Sequence, residues 1–135
     1  GVIYRQGTLR RALRVLQDGG SLGILIDQHI ASRDAIHVDF FNRPEATTPI
    51  VAALAMRTGA RIIPLFALPI GHGRYRMVYE HPIEPPPEGT EDPIHEITQR
   101  CTDVLEMYVR KHPDLWLWMH RRWRETDARR GTSDV

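Results

Sequence analysis

The pattern of apolar and polar residues divides the first part of the chain into a helix and a buried strand. Apolar residues recur at one-turn spacing within residues 8–17, with Thr8 as the predicted N-cap and Asp18-Gly19-Gly20 as the predicted end. Residues 22–26 form a continuous apolar run, which is typical of a strand buried on both faces. This run stops at Asp27, so a carboxylate is predicted to stand at the end of a strand.

The middle of the chain predicts a long connection, a helix and two further strands. Residues 28–47 form the connection, in which residues 36–40 alternate as a short extended piece. Thr48-Pro49 predicts a helix start and Gly59 predicts its end. Residues 61–70 predict a nearly continuously apolar strand, and residues 74–80 predict an antiparallel edge strand after a tight turn.

The last part of the chain predicts one long helix between two proline signals. Asp92-Pro93 marks the start of this amphipathic helix and His112-Pro113 marks its end. Residues 115–119 alternate as a final strand with Leu115, Leu117 and Met119 predicted to pack inward. With a short strand at residues 2–4, the order predicts an α/β fold with a mixed, mostly parallel sheet flanked by helices. Residues 1–124 are expected to form the domain, and residues 125–135 a flexible polar tail.

Composition narrows the classes of function without selecting one. The chain has 135 residues and a net charge of +1, so no overall basic field points to nucleic acid. Cys101 is the single cysteine, which excludes a disulfide framework and a cysteine metal site. No run approaches the roughly 20 apolar residues that span a bilayer, and no signal peptide is visible. We predict no metal and no cofactor.

Asp27 is the first candidate for chemistry. A buried carboxylate is costly unless it is paired or used, and ligands of open α/β sheets lie just past the strand ends. The alternative is a structural role for Asp27 as a cap or turn residue in the following loop.

Two His-x4-carboxylate spacings, His29 with Asp34 and His120 with Glu125, are candidate general-base pairs, and the first could serve a small hydrolase. Such spacings also arise by chance among seven histidines and many carboxylates. The helix start at Thr48 is a candidate anion site, with plain capping as the alternative. The Trp-Arg end, from Trp116 to Arg124, is compatible with a nucleic-acid or membrane-binding module.

Taken together, several segments resemble the bacterial lipid A biosynthesis acyltransferase family, the lauroyl and myristoyl transferases of lipopolysaccharide assembly. The resemblance spans nearly the whole chain, and the tryptophan–histidine–arginine ending is its most specific part. The matching segments are the leucine-rich helix from Leu9, Gly-Ile-Leu-Ile-Asp27-Gln28, Val38-Asp-Phe-Phe41 with Pro44, Thr47-Thr48, Leu54-Ala-Met-Arg-Thr-Gly-Ala60, the Ile-Ile-Pro-Leu-Phe strand, and Pro113-Asp-Leu-Trp116-Leu-Trp118-Met-His120-Arg-Arg-Trp123.

The resemblance implies a glycerolipid-acyltransferase-like fold, of which this chain is the later portion. It implies direct transfer of an acyl chain from an acyl carrier protein or acyl-CoA thioester to a hydroxyl of a lipid A precursor. A related branch acylates mannosylated phosphatidylinositol, which is the alternative acceptor. A basic surface would suit an acidic carrier protein and an anionic membrane, and the expected location is the cytoplasmic face of the bacterial inner membrane.

The family's catalytic motif, a histidine separated by four residues from Asp or Glu, lies upstream of the Asp27 region. His29 and Asp34 have the same spacing, but they lie in a later segment than the family's catalytic motif. The catalytic role is therefore not transferred to them. The resemblance implies Asp27 as a supporting catalytic residue and a set of substrate-binding residues: Arg5, Gln28, Thr48, His120 and Arg121. The 135-residue chain alone is expected to be a partial acyltransferase domain without activity.

Overall fold

A computed structural model describes residues 8–31 and 33–123 of the chain. In the described ranges the fold is mixed α/β, as predicted, and has a short 3₁₀ turn at Pro113–Leu115. The elements, in chain order, are α1 (Thr8–Gln17), β1 (Ile36–Phe40), β2 (Arg43–Thr47), α2 (Ile50–Thr58), β3 (Leu65–Gly71), β4 (Arg74–Tyr79) and α3 (Pro93–Lys111).

The helices form where local signals predict them. The Asp92 side chain accepts a hydrogen bond from the N–H of His95 at 2.9 Å, which satisfies a free donor of the first turn of α3. Gly59 ends α2 at a φ of 71°, and its N–H donates to the carbonyl of Ala55. Helix α2 begins at Ile50, one residue later than predicted. Pro49 and not Thr48 is its N-cap, although Thr48 Oγ1 accepts the Ile50 N–H at 3.3 Å.

Strands β1 and β2 form a hairpin, of which the sequence predicts β1 but not β2. Residues 36–40 are extended, as expected, but they pair antiparallel with β2, which lies inside the predicted connection. The two-residue turn places Phe41 at a φ of 55° and Asn42 at 56°. Such a turn matches the twist of the flanking strands, but it favours Asn and Gly over Phe. Because Phe41 occupies its first position, the sequence does not indicate a turn here.

Strands β3 and β4 form the second hairpin, and the antiparallel prediction is confirmed. The strand predicted from residue 61 is assigned from Leu65, although residues 62–64 continue along the same edge. The N–H of Ile83 donates to the carbonyl of Ile62, and the N–H of Glu80 donates to that of Pro64.

The prediction of a mostly parallel sheet is wrong for the described residues. They contain two separate two-stranded antiparallel sheets. Residues 22–26 are not assigned as a strand, and the side chain of Leu25 is 83% exposed. A strand exists only through a ladder of hydrogen bonds to a neighbour, and an apolar run cannot specify that neighbour by itself.

The predicted final strand at residues 115–119 is also absent. Local turns use its backbone groups: the N–H of Trp118 donates to Trp116, and that of His120 donates to Leu117. Three side chains predicted to pack inward are exposed instead, namely Leu115, Leu117 and Met119.

The core lies where α3 packs against the β1–β2 hairpin and α2. Ala52 and Ile97 are buried there with Cys101. Ile26 is half-buried against this core, which fixes the position of the segment that leads to Asp27. The predicted strand at residues 2–4 and the predicted tail at 125–135 lie outside the described residues.

Candidate functional site

Asp27 stands at the rim of the candidate site, with an exposed side chain. It lines a cavity of about 780 Å³. The other walls come from residues 22–26, from α2, from β3 and the residues before it, and from the buried side of α3, with Leu16 of α1 and Leu115 and Trp116 after α3 completing the lining. The cavity is therefore mainly apolar and carries a carboxylate among its lining residues.

The backbone on both sides of Asp27 is held by the segment after α3. Arg122 Nη2 donates to the carbonyl oxygen of Ile26 at 2.8 Å. The N–H of His29 donates to Nε2 of His120 at 3.0 Å. Because Nε2 accepts this bond, the neutral His120 ring carries its proton on Nδ1.

Arg122 forms a buried ion pair with Glu45 of β2. The guanidinium Nε lies 2.6 Å from Glu45 Oε2, and Nη2 lies 2.7 Å from Oε1. The two side chains are only 1% and 0% exposed. Burial raises the pKa of Glu45 to about 7, against the opposing attraction of Arg122, and burial lowers the pKa of Arg122.

Aromatic rings surround this ion pair. Phe40 is fully buried and stacks with Trp123 at a centroid distance of 5.6 Å. Trp123 Nε1 donates to the carbonyl of Phe40, and the guanidinium of Arg43 lies over the Trp123 ring. The tryptophan–arginine ending is thus partly internal, because Trp123 and Arg122 pack on the β1–β2 hairpin.

The predicted substrate-binding residues do not form one cluster of contacts. Gln28 and Arg121 are exposed. Thr48 makes a helix-start contact with Ile50, so its anion-binding role stays a prediction. His120 already binds the His29 backbone through one ring nitrogen. Arg5 lies outside the described residues.

Neither candidate histidine–carboxylate pair gains support. His29 Nδ1 is buried and has no hydrogen-bond partner in the described part of the chain, so this ring nitrogen does not bind Asp34. Glu125, the partner suggested for His120, lies outside the described residues. The structure therefore gives no reason to assign a hydrolase dyad to either pair.

Glu45 was missed by sequence reasoning. It lies in a segment predicted to be a loop, where a charged residue is expected to face water. Its burial depends on Arg122, which lies 77 positions away. A glutamate flanked by Pro44 and Ala46 offers no local sign of such a partner.

Residues 8–31 and 33–123 contain neither a candidate metal-binding cluster nor a helix that could span a membrane. No group of three or more His, Cys, Asp and Glu side chains has an arrangement that could hold a metal ion. No helix in these ranges is both long and apolar enough to cross a membrane.

Comparison with known proteins shows a family match. Residues 1–125 match the family described as bacterial lipid A biosynthesis acyltransferase. The chain is 31% identical over 97 residues to the lipid A biosynthesis myristoyltransferase of Escherichia coli strain K12. It is also 31% identical over 97 residues to lipid A biosynthesis acyltransferase 1 of Shigella flexneri. Each alignment covers 70% of this chain and 29% of the relative, so the chain spans under a third of the relatives' length.

Proposed function

Because the chain belongs to the bacterial lipid A biosynthesis acyltransferase family, we propose that the protein moves a fatty acyl chain from a thioester donor to a hydroxyl of a lipid A precursor. The apolar cavity with Asp27 in its lining is the observation that carries this proposal. Its volume of about 780 Å³ falls within the usual range for small-molecule sites, and its walls suit a hydrocarbon chain.

The proposed reaction is a direct transfer. The acceptor oxygen attacks the thioester carbonyl, the new C–O ester bond forms, and the C–S bond breaks. The hydroxyl proton moves to a general base and then to the leaving sulfur. We assign the base to the histidine of the family's His-x4-Asp/Glu motif, which the resemblance places upstream of Asp27, and we assign Asp27 a supporting role at the acceptor end.

The proposed partners follow from charge and chemistry. The donor is acyl carrier protein or acyl-CoA, and the enzyme works at the cytoplasmic face of the inner membrane. Arg121 is exposed beside the site and would favour an acidic carrier or an anionic lipid surface. A phosphatidylinositol mannoside is the alternative acceptor.

The direct test uses the full-length protein with acyl carrier protein or coenzyme A thioesters of several chain lengths. The acceptors are a lipid A precursor and, separately, a phosphatidylinositol mannoside. Release of thiol together with formation of an O-acylated lipid supports acyl transfer. Thiol release without acylated lipid would indicate a hydrolase and contradict the proposal.

A second test asks whether the acyl chain occupies the cavity. Ala55 lines the cavity from α2, whereas Ala53 on the same helix does not. Ala55→Leu should shift the preferred donor toward shorter chains, and Ala53→Leu should leave the preference unchanged. If the cavity receives a polypeptide strand instead, Ala55→Leu should lower the stability of the protein without changing the chain-length preference.

A further inference from the structure

Arg122 connects three separate parts of the chain. Its guanidinium meets both carboxylate oxygens of Glu45, and one of its nitrogens also donates to the carbonyl of Ile26. Ile26 directly precedes Asp27, so the fork of Arg122 links the β1–β2 hairpin to the residue before the candidate carboxylate. The contact is buried, because only 1% of the Arg122 side chain is exposed.

A second contact holds the other side of Asp27. His120 lies two residues before Arg122 and accepts the N–H of His29, two residues after Asp27. The N–H of Ile30 then donates to the carbonyl of Ala46, next to Glu45 in β2. Residues 26–30 are therefore held from both sides although they belong to no helix or strand.

The ion pair is an unusual way to hold a backbone segment. A buried pair gains little stability over apolar side chains of similar volume, since both charges must leave water. An aliphatic side chain at position 122, however, could not donate to the Ile26 carbonyl. The arginine thus supplies a directional contact that an apolar core cannot supply.

We propose that Arg122 and His120 are positioning residues, which hold residues 26–30 so that the Asp27 carboxylate faces the reacting hydroxyl. Glu45 keeps Arg122 charged and oriented. This inference rests on the proposed acyltransferase function. A misplacement of about 1 Å in a reacting group can lower turnover about 100-fold, so a loosened segment should be visible in kcat.

The principal test is the double variant Glu45→Met with Arg122→Met in the full-length enzyme. Because both charges are removed together, no uncompensated charge stays buried, and the denaturation midpoint should remain close to that of the wild type. We expect kcat to fall about 100-fold while KM changes by less than about threefold. We also expect amide exchange in residues 26–30 to accelerate about tenfold, because the segment loses its contact at the Ile26 carbonyl.

A matched control is available on α3. Arg100 pairs with Glu96 at 2.9 Å and donates to the carbonyl of Glu84, so it combines an ion pair with a backbone contact that involves none of residues 26–30. Glu96→Met with Arg100→Met should leave kcat and the exchange of residues 26–30 at wild-type values.

If the double variant does not fold, a milder variant tests whether Arg122 positions residues 26–30. Arg122→Lys keeps the charge opposite Glu45 but has a single ammonium group in place of the planar fork. It should fold, exchange faster at residues 26–30 and lose kcat. Full kcat with wild-type exchange in Arg122→Lys would overturn the proposal, and so would a loss of kcat without faster exchange at these residues.

The two measurements separate this inference from the proposed function. If the wild-type protein transfers no acyl group from any thioester, the proposed function fails. The exchange measurement still reports whether Arg122 holds residues 26–30. If acyl transfer is found but the double variant retains both kcat and protection, only the positioning role fails.

Discussion

The rings of Phe66 and Tyr108 stack with their centroids 3.5 Å apart and their planes within 8° of parallel. This contact joins β3 to the buried face of α3 and forms part of the cavity wall. The hydroxyl of Tyr108 also donates to a carboxylate oxygen of Glu80, just after β4. A single side chain therefore holds the β3–β4 hairpin against α3 through both its ring and its hydroxyl.

Tyr108→Phe should keep the ring stack and lose only the hydrogen bond to Glu80. We expect the free energy of unfolding to fall by about 1.5–3 kcal/mol, since the acceptor is a carboxylate. Denaturant titration measures this change. Tyr75→Phe is the control, because Tyr75 is 61% exposed, and it should have almost no effect. Equal effects at the two positions would show that the Glu80 contact contributes nothing.

Local chemistry explains why the helices were predicted well. The limits of α3 follow from Asp92-Pro93 and His112-Pro113, and the end of α2 follows from Gly59, all within a few residues of the helix itself. The sheet was predicted poorly because strand pairing is a long-range choice. Residues 22–26 are as apolar as a buried strand, but an apolar composition does not specify which strand they would pair with.

The candidate site shows the same dependence on long-range contacts. Asp27 is predicted from its place after an apolar run, and it lines a cavity, while its role in the reaction stays a prediction. The contacts that hold its backbone come from His120 and Arg122, more than 90 positions away in the sequence. The hypothesis that the Trp-Arg end is an exposed binding surface does not hold for Arg122, which is buried. The sequence does not show which arginine pairs with a buried glutamate.

Cys101 should be unreactive toward thiol reagents while the protein is folded. Burial, followed by the nearby charge of Asp103, raises the pKa of its thiol from 9.0 to about 11. At pH 8 the side chain is a protonated, inaccessible thiol, so labelling with a disulfide reagent should be slow in buffer and fast in urea. Rapid labelling of the folded protein would contradict this burial.

The same shift in the pKa of Cys101 predicts a direction for alkaline stability. Because the pKa of the Cys101 thiol is higher in the folded state, this group contributes fully to the free energy of unfolding below about pH 9. The contribution is lost as the pH rises toward 11. Cys101→Ala should therefore lose less stability than the wild type between these two pH values, as measured by denaturant titration at each pH.

Glu45 should make the stability of the folded protein depend on pH in the acidic-to-neutral range. Its pKa rises from 4.5 to about 7 on folding, so the folded state binds more protons than the unfolded state between these values. Stability contributed by this group is complete below about pH 4.5 and is lost as the pH rises through 7. Denaturant titrations across this range measure the slope.

The variant Glu45→Gln removes the titrating group while keeping a similar shape. It should flatten the pH dependence between 4.5 and 7, and it should lower stability above about pH 7, where the ionised glutamate is the counter-charge of Arg122. Glu96→Gln, at a half-exposed ion pair, is the control and should leave the slope unchanged. An unaltered slope in Glu45→Gln would assign the pH dependence to another group.

Asp27→Ala and His29→Ala should separate the carboxylate from the neighbouring imidazole in the full-length enzyme. We expect Asp27→Ala to lower turnover about 100-fold or more, as loss of a group at the reacting hydroxyl would. His29→Ala should have a much smaller effect, because the contact to His120 uses the His29 backbone N–H, which the substitution retains. Initial rates at saturating thioester measure both, with Asp34→Ala as the exposed control. The reverse order of effects, or a large loss in Asp34→Ala, would return His29 and Asp34 to consideration as the reacting pair and remove Asp27 from the proposed site.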